Sequence, residues 1–176
     1  MNMKYNNIVL IGMPGSGKST IGKILAEATS IPFLDLDIQI EKQLNSTISS
    51  IFENKGELFF RKVERELLQE IMQSEESVVL SLGGGTPCYY NNHEFFLGEN
   101  VAAIYLKASI ETLLERINYS NSNRPLIANK TKEEQREFIA KHLFDRSYFY
   151  NQAQYKVCVD SKSPEQIVSE ILTILA

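Results

Sequence analysis

Within "IGMPGSGKST", the spacing Gly12-x-x-x-x-Gly17-Lys18-Ser19 sets glycines, a lysine and a hydroxyl where one short loop can hold a row of phosphates. Glycine lets the backbone wrap closely, so that its N–H groups point inward, and a helix opening behind the loop adds partial positive charge. Gly15, Ser16, Gly17, Lys18, Ser19 and Thr20 would then contact a nucleoside triphosphate, with Lys18 at the β and γ phosphates and the Ser19 hydroxyl on Mg²⁺. The loop by itself names no acceptor for the terminal phosphate.

Further along the chain are residues that could form one. Asp35 and Asp37 alternate around Leu36 at the end of an apolar run, and period two would send them to opposite faces, one for metal and one for substrate. Read alone, the pair would equally close a strand and cap the next helix. Arg61 and Glu64 in "FFRKVE" stand one helical turn apart and alone would be a surface pair. Gly83, Gly84 and Gly85 follow another apolar run and cost backbone entropy, for which close approach of backbone to ligand is the matching gain. Two nucleotide-hydrolase classes fit less well. "SVVLSLGGG" ends in no acid that could hold Mg²⁺ as in motor ATPases, and "NKTK" lacks the aspartate of a guanine-reading segment.

These groups need a scaffold. "NIVLI", "IPFLDLD", "SVVLSL", "VAAIYL" and "YKVCVD" read as five short strands; "NIVLI", apolar without alternation, suits a strand covered on both faces, and "SVVLSL" and "VAAIYL" read as buried. Between them lie helical patterns: "STIGKILAEATS" from near Lys18, Ile38 to Gln73 with a break at Gly56, "IETLLERI", and a tail with Ser163 as cap and Pro164 in the first turn. In "ELFFRKVERELLQEIM", Leu58, Val63, Leu67, Leu68 and Ile71 are expected near one buried face. The alternation implies an α/β fold, a parallel sheet with helices on both sides. The loop 118–134, rich in Asn and Ser around Arg124, is longer than an ordinary connection and is expected to be a lid.

Composition bounds the rest. One domain is expected of 176 residues, and a net charge of −4 argues against nucleic acid or an anionic membrane as partner. No apolar run approaches bilayer length and the start "MNMKYNN" lacks a signal-peptide core, so a cytoplasmic protein is expected. Cys88 and Cys158 form no metal or disulfide pattern. His93 and His142 are expected in surface or packing roles, Tyr148, Phe149 and Tyr150 in the core, and Lys141 to Arg146 on a solvated helix face.

Taken in order, "GMPGSGKSTIGKILA", "FLDLD", "ISSIFENKGELFFRKVE", "VLSLGGG", "NRPL" and "RSYFY" resemble the shikimate kinase family over nearly the whole chain. The resemblance implies a five-stranded P-loop kinase fold, with residues 37–65 as the substrate-binding helical part and 118–134 as the lid. It implies transfer of the ATP γ-phosphate to the 3-hydroxyl of shikimate, on the way to chorismate and the aromatic amino acids. Asp37 matches the acid at the ring hydroxyls, and Asp35 the one near Mg²⁺. Arg61 and Arg146 match the arginines that hold the substrate carboxylate, with Glu64 orienting Arg61, and Gly83–Gly85 match the backbone under the ring. Arg124 matches the lid arginine over the phosphates, and Arg116 one flanking the adenine. The catalytic set is thus Lys18, Asp37 and Arg124, and a monomer is expected.

The pattern departs from the family in two places. Leu82 stands where many relatives carry Thr or Ser, with Ser81 one step earlier, and the adenine-side segment reads "DSKSP", leaving Lys162 and Ser163. A kinase of gluconate or of a nucleoside monophosphate, or a nucleotide-binding module without transfer, are the competing readings.

Overall fold

The computed structural model describes residues 5–119 and 130–176. Its sheet has five parallel strands, β1 (Asn7–Ile11), β2 (Phe33–Asp35), β3 (Val78–Ser81), β4 (Val101–Lys107) and β5 (Tyr155–Cys158), in the spatial order β2-β3-β1-β4-β5. All of β1 and β3 is buried, as their unalternated apolar sequence requires. Leu10, Leu80 and Ile104 have no exposed surface, and burying each such side chain is worth about 2 kcal/mol. Register brings three strand ends level: Leu10 lies beside Ser81 and Ser81 beside Asp35. In a parallel sheet these carboxyl ends share one edge, where ligands of open α/β sheets bind.

The helices are α1 (Lys18–Thr29), α2 (Leu36–Leu44), α3 (Ile48–Gln73), α4 (Ile110–Tyr119), α5 (Lys132–Tyr150) and α6 (Pro164–Leu175). Ser163 caps α6 in a capping box with Gln166, with Pro164 in the first turn, as the sequence predicts. Gly22 has no room for a side chain, because a Cβ there would lie 2.3 Å from the Phe33 ring. That missing carbon lets α1 settle close against β2.

Three expectations need correction. β2 ends at Asp35, so Asp37 does not continue a strand but lies in the first turn of α2. The single apolar face drawn through α3 is also wrong at its start: Leu58 is 80% exposed, whereas Val63 and Leu68 are buried. Gly56 adopts φ 81° and interrupts the helix as expected, but all five residues assigned to that face lie beyond it in one run. The five-residue step from Leu58 to Val63 is about 1.4 turns, which carries Leu58 off the side that holds Phe60, Val63, Glu64 and Leu68. Of the three aromatic residues that close α5, only Tyr150 is in the core, and Tyr148 is 65% exposed.

Candidate active site

Gly12, Gly15 and Gly17 all have positive φ, and the loop they shape delivers the chain into α1, whose first N–H groups have no helical partners. Lys18 folds back over this loop and donates to the carbonyl oxygens of Gly12 at 2.9 Å and Met13 at 3.0 Å. Arg116 reaches across from α4 and donates to the carbonyl oxygens of Ser16 at 2.9 Å and Gly15 at 3.3 Å. The Ser16 hydroxyl is buried beside Gly12, so Ser16 contributes its backbone to the loop.

Asp35 does two things at once. One carboxylate oxygen caps α2 through the N–H groups of Asp37 and Ile38, and the other accepts the Ser19 hydroxyl at 2.8 Å. The capping and the site-forming readings of this residue are therefore both satisfied. Asp37 lies in the first turn of α2, half-buried. Burial, followed by the nearby charges of Asp35 and Glu64, lifts its carboxyl from 3.8 to about 6, with Lys18 and Arg61 pulling the other way.

The far end of the site is built from side chains. Arg61 is buried on α3, donates to Glu64 at 2.9 Å and to Glu57 at 3.4 Å, and stacks between Phe60 and Tyr89, 4.0 Å from the Tyr89 ring centre. Burial works against its charge, but the charge and hydrogen bond of Glu64 more than offset this and hold the guanidinium above its ordinary value. What reads in sequence as a surface pair is a buried one, with Glu64 fully enclosed.

The three glycines form the floor between these groups, and each is required by a side chain of the protein itself. A Cβ on Gly83 would meet Thr86 Oγ1 at 2.9 Å and Asp37 Oδ1 at 3.0 Å; on Gly84, Pro14 Cδ at 2.6 Å and Arg146 Nη1 at 3.0 Å; on Gly85, Arg61 Nη2 at 2.7 Å. None of the three has a positive φ, so close approach rather than turn geometry is the reason for glycine here. Tyr150 secures the floor by donating its hydroxyl to the Gly84 carbonyl at 2.6 Å, and burial pushes that hydroxyl's pKa well up. Tyr150 and Pro14 were not among the expected site residues. The signal for both was faint, since a tyrosine four residues after Arg146 also reads as core, and Pro14 sits at a variable position of the loop.

Pro14 to Ile21, Asp35, Asp37 and Ser81 to Gly84 line one cavity of about 540 Å³, with Arg116, Lys162, Pro164 and Ile167 at the end away from Asp37. Leu82 lines it although its side chain is almost wholly buried. Lys162 is also paired with Glu170. Arg61 and Arg146 lie beyond the cavity's lining, and Arg146 approaches the phosphate loop itself, with Nη1 3.7 Å from Met13 Sδ. Arg124, and residues 120–129 of the predicted lid with it, lie outside the described residues. Cys88 and Cys158 are free, and burial pushes the Cys88 thiol up to about 11, which keeps it protonated and inert. His93 packs on Phe149 although its buried Nδ1 has no hydrogen-bond partner among the described residues, and His142 bonds to the Phe138 carbonyl.

Residues 14–176 match the family model described as shikimate kinase. A shikimate kinase of Flavobacterium johnsoniae is 55% identical over 96% of this chain and 98% of its own length. The crystal structure of shikimate kinase from Bacteroides thetaiotaomicron superposes with a TM-score of 0.89 at 36% identity, covering 96% of this chain and 97% of that one. Shikimate kinase from Acinetobacter baumannii, solved in complex with shikimate, gives 0.86 at 32% identity over 98% and 93% of the two chains. The phosphate loop, the acids at the end of β2 and the arginine-bound glycine floor therefore sit in a chain that belongs to the shikimate kinase family.

Proposed function

We propose that this chain transfers the γ-phosphate of ATP to the 3-hydroxyl of shikimate, a step toward chorismate and the aromatic amino acids. The observation that carries the reading is the glycine floor, which has Asp37 against Gly83, Arg146 against Gly84 and Arg61 against Gly85. A carboxylate at one end and two guanidinium groups at the other match a small acid that carries hydroxyls. Arg61 and Arg146 would take the shikimate carboxylate, for which a planar guanidinium is the best-shaped partner.

The hydroxyl oxygen attacks the γ-phosphorus, the bond from that phosphorus to the β–γ bridging oxygen breaks, and ADP leaves. Asp37 receives or orients the hydroxyl proton, and at about 6 its carboxyl is ionised at neutral pH yet basic enough to take part. Lys18 and Arg124 offset charge on the transferring group, and most of the acceleration comes from positioning and charge stabilisation. Lys18 must first release the carbonyls of Gly12 and Met13. Ser19 and Asp35 bring a hydroxyl and a carboxylate together, the hard oxygen donors that Mg²⁺ takes, and would hold the ion. Bound there, Mg²⁺ would neutralise phosphate charge. Arg116 and Lys162 flank the end of the cavity suited to adenine.

Residues 37–65 serve as the acceptor-binding part and 118–134 as the lid of a single P-loop domain, acting as a cytoplasmic monomer. Among the described residues no helix is long and apolar enough to cross a membrane. Purified protein with ATP and Mg²⁺ should release ADP when given shikimate, and not when given gluconate, AMP, CMP or no acceptor. Turnover with gluconate or a nucleotide and none with shikimate would sink the reading.

A further inference from the structure

We propose that the Thr86 hydroxyl is a positioning group for the acceptor-binding arginine, acting through Glu64. The inference rests on the acceptor site proposed above. Glu64 has two carboxylate oxygens and each has its own donor: Oε2 accepts Arg61 Nη1 at 2.9 Å, and Oε1 accepts Thr86 Oγ1 at 2.6 Å. Glu64 and Thr86 both have no exposed surface. Rotation of a carboxylate about its last torsion is soft, so the arginine contact alone would leave its plane loosely set. The second donor fixes that plane and, with it, the direction in which Arg61 is held.

Thr86 is itself anchored. Its N–H donates to the Gly83 carbonyl at 3.1 Å, and its own carbonyl accepts Asn92 Nδ2 at 2.9 Å. Asn92 is fully buried and accepts Arg65 Nη1 at 3.1 Å, while the Arg65 guanidinium lies 4.2 Å from the Phe95 ring centre. The same Thr86 oxygen and Asp37 Oδ1 both border the space beside Gly83, 2.9 and 3.0 Å from where a Cβ would stand. One side chain thus bonds to the carboxylate that holds the arginine and packs at the glycine beside the acid. Because a misplacement of about 1 Å in a reacting pair is costly, such a spacer belongs to the working geometry.

Steady-state kinetics of Thr86→Val and Thr86→Ser, with each substrate varied in turn, provide the test. Valine keeps the shape and removes the donor, which leaves Glu64 Oε1 buried without one. We expect Thr86→Val to raise KM for shikimate about tenfold and to leave KM for ATP within about twofold, and serine to restore it. In an Arg61→Ala background, the same valine should change kcat/KM for shikimate less than about twofold, because the group it acts on is gone. Equal losses for both substrates, failure of serine to rescue, or full additivity with Arg61→Ala would overturn the inference. Should the valine variant melt below the assay temperature, Thr86→Ala is read by the same ratios. The ratios are taken against the wild type with the acceptor it uses, so absence of wild-type turnover with shikimate counts against the acceptor's identity and not against Thr86.

Discussion

The two ends of this site are built from different materials. At the phosphate end the binding surface is backbone, supplied by one loop and the start of one helix, and its lysine and bracing arginine rest on carbonyls of that same loop. At the acceptor end it is side chain: Asp37 from α2, Arg61 and Glu64 from α3, Thr86 beyond β3 and Arg146 from α5, brought together over three glycines. A phosphate chain is the same in every triphosphate, so amide groups and a helix terminus suffice for it. Discriminating one hydroxylated acid from another needs groups placed at set separations, and only a folded chain can hold them. The glycines connect the two ends, since the space a side chain on Gly84 would need is shared by Pro14 of the phosphate loop and Arg146.

Breaking the acceptor end at its acid should have the largest effect. Asp37→Asn keeps the size and removes charge and basicity, so turnover should fall at least about tenfold, a barrier increase of ~1.4 kcal/mol, while ATP binding persists in a titration. With wild-type protein, kcat/KM for shikimate should decline as pH drops below about 6, where Asp37 takes up its proton. An unchanged rate in the variant would remove Asp37 from the catalytic set.

The glycines sharpen the comparison. Gly84→Ala forces a methyl carbon to within 2.6 Å of the Pro14 ring, which cannot swing away, so both KM values should rise, about tenfold for shikimate and several-fold for ATP. At Gly85→Ala the three nearest atoms all belong to the Arg61 guanidinium, and its effect should be confined to shikimate. Identical profiles for the two variants would show that the two ends are not separable as described.

The smallest effect has the opposite sign. Burial raises the Asp37 carboxyl from 3.8 to about 6, so the folded state binds its proton more tightly than the unfolded chain does. The charged form therefore costs stability above about pH 6, and that cost is relieved as pH falls through the window toward 3.8. Asp37→Asn should then be more stable than wild type at pH 8 by on the order of 2 kcal/mol, or a few degrees in Tm. Thermal melts should show the gap closing toward pH 4. A variant less stable than wild type at pH 8 would mean that Asp37 stabilises the fold.

How much could be read in advance follows the same division. β1, β3 and β4 were legible because burial on both faces forces unbroken apolar runs, and α6 because its cap residues are consecutive in the chain. Leu58 was misread because five residues, from Leu58 to Val63, are about 1.4 helical turns and do not return to the same face. The aspartates were read as one strand end, whereas the chain turns into α2 at Asp35 and gives the two acids different surroundings. Thr86, Pro14 and Tyr150 were passed over because what distinguishes each is a contact with a residue far away in sequence.

The sequence by itself determined the phosphate loop, the parallel α/β sheet and the supply of acids, arginines and glycines, because each of these depends on residues close together along the chain. Only the tertiary structure decided that Arg61 and Glu64 are a buried pair, that burial lifts the Asp37 carboxyl from 3.8 to about 6, and that the three glycines are spaces reserved for Asp37, Arg146 and Arg61. Those properties are set by burial and by distances between elements, which no local pattern encodes.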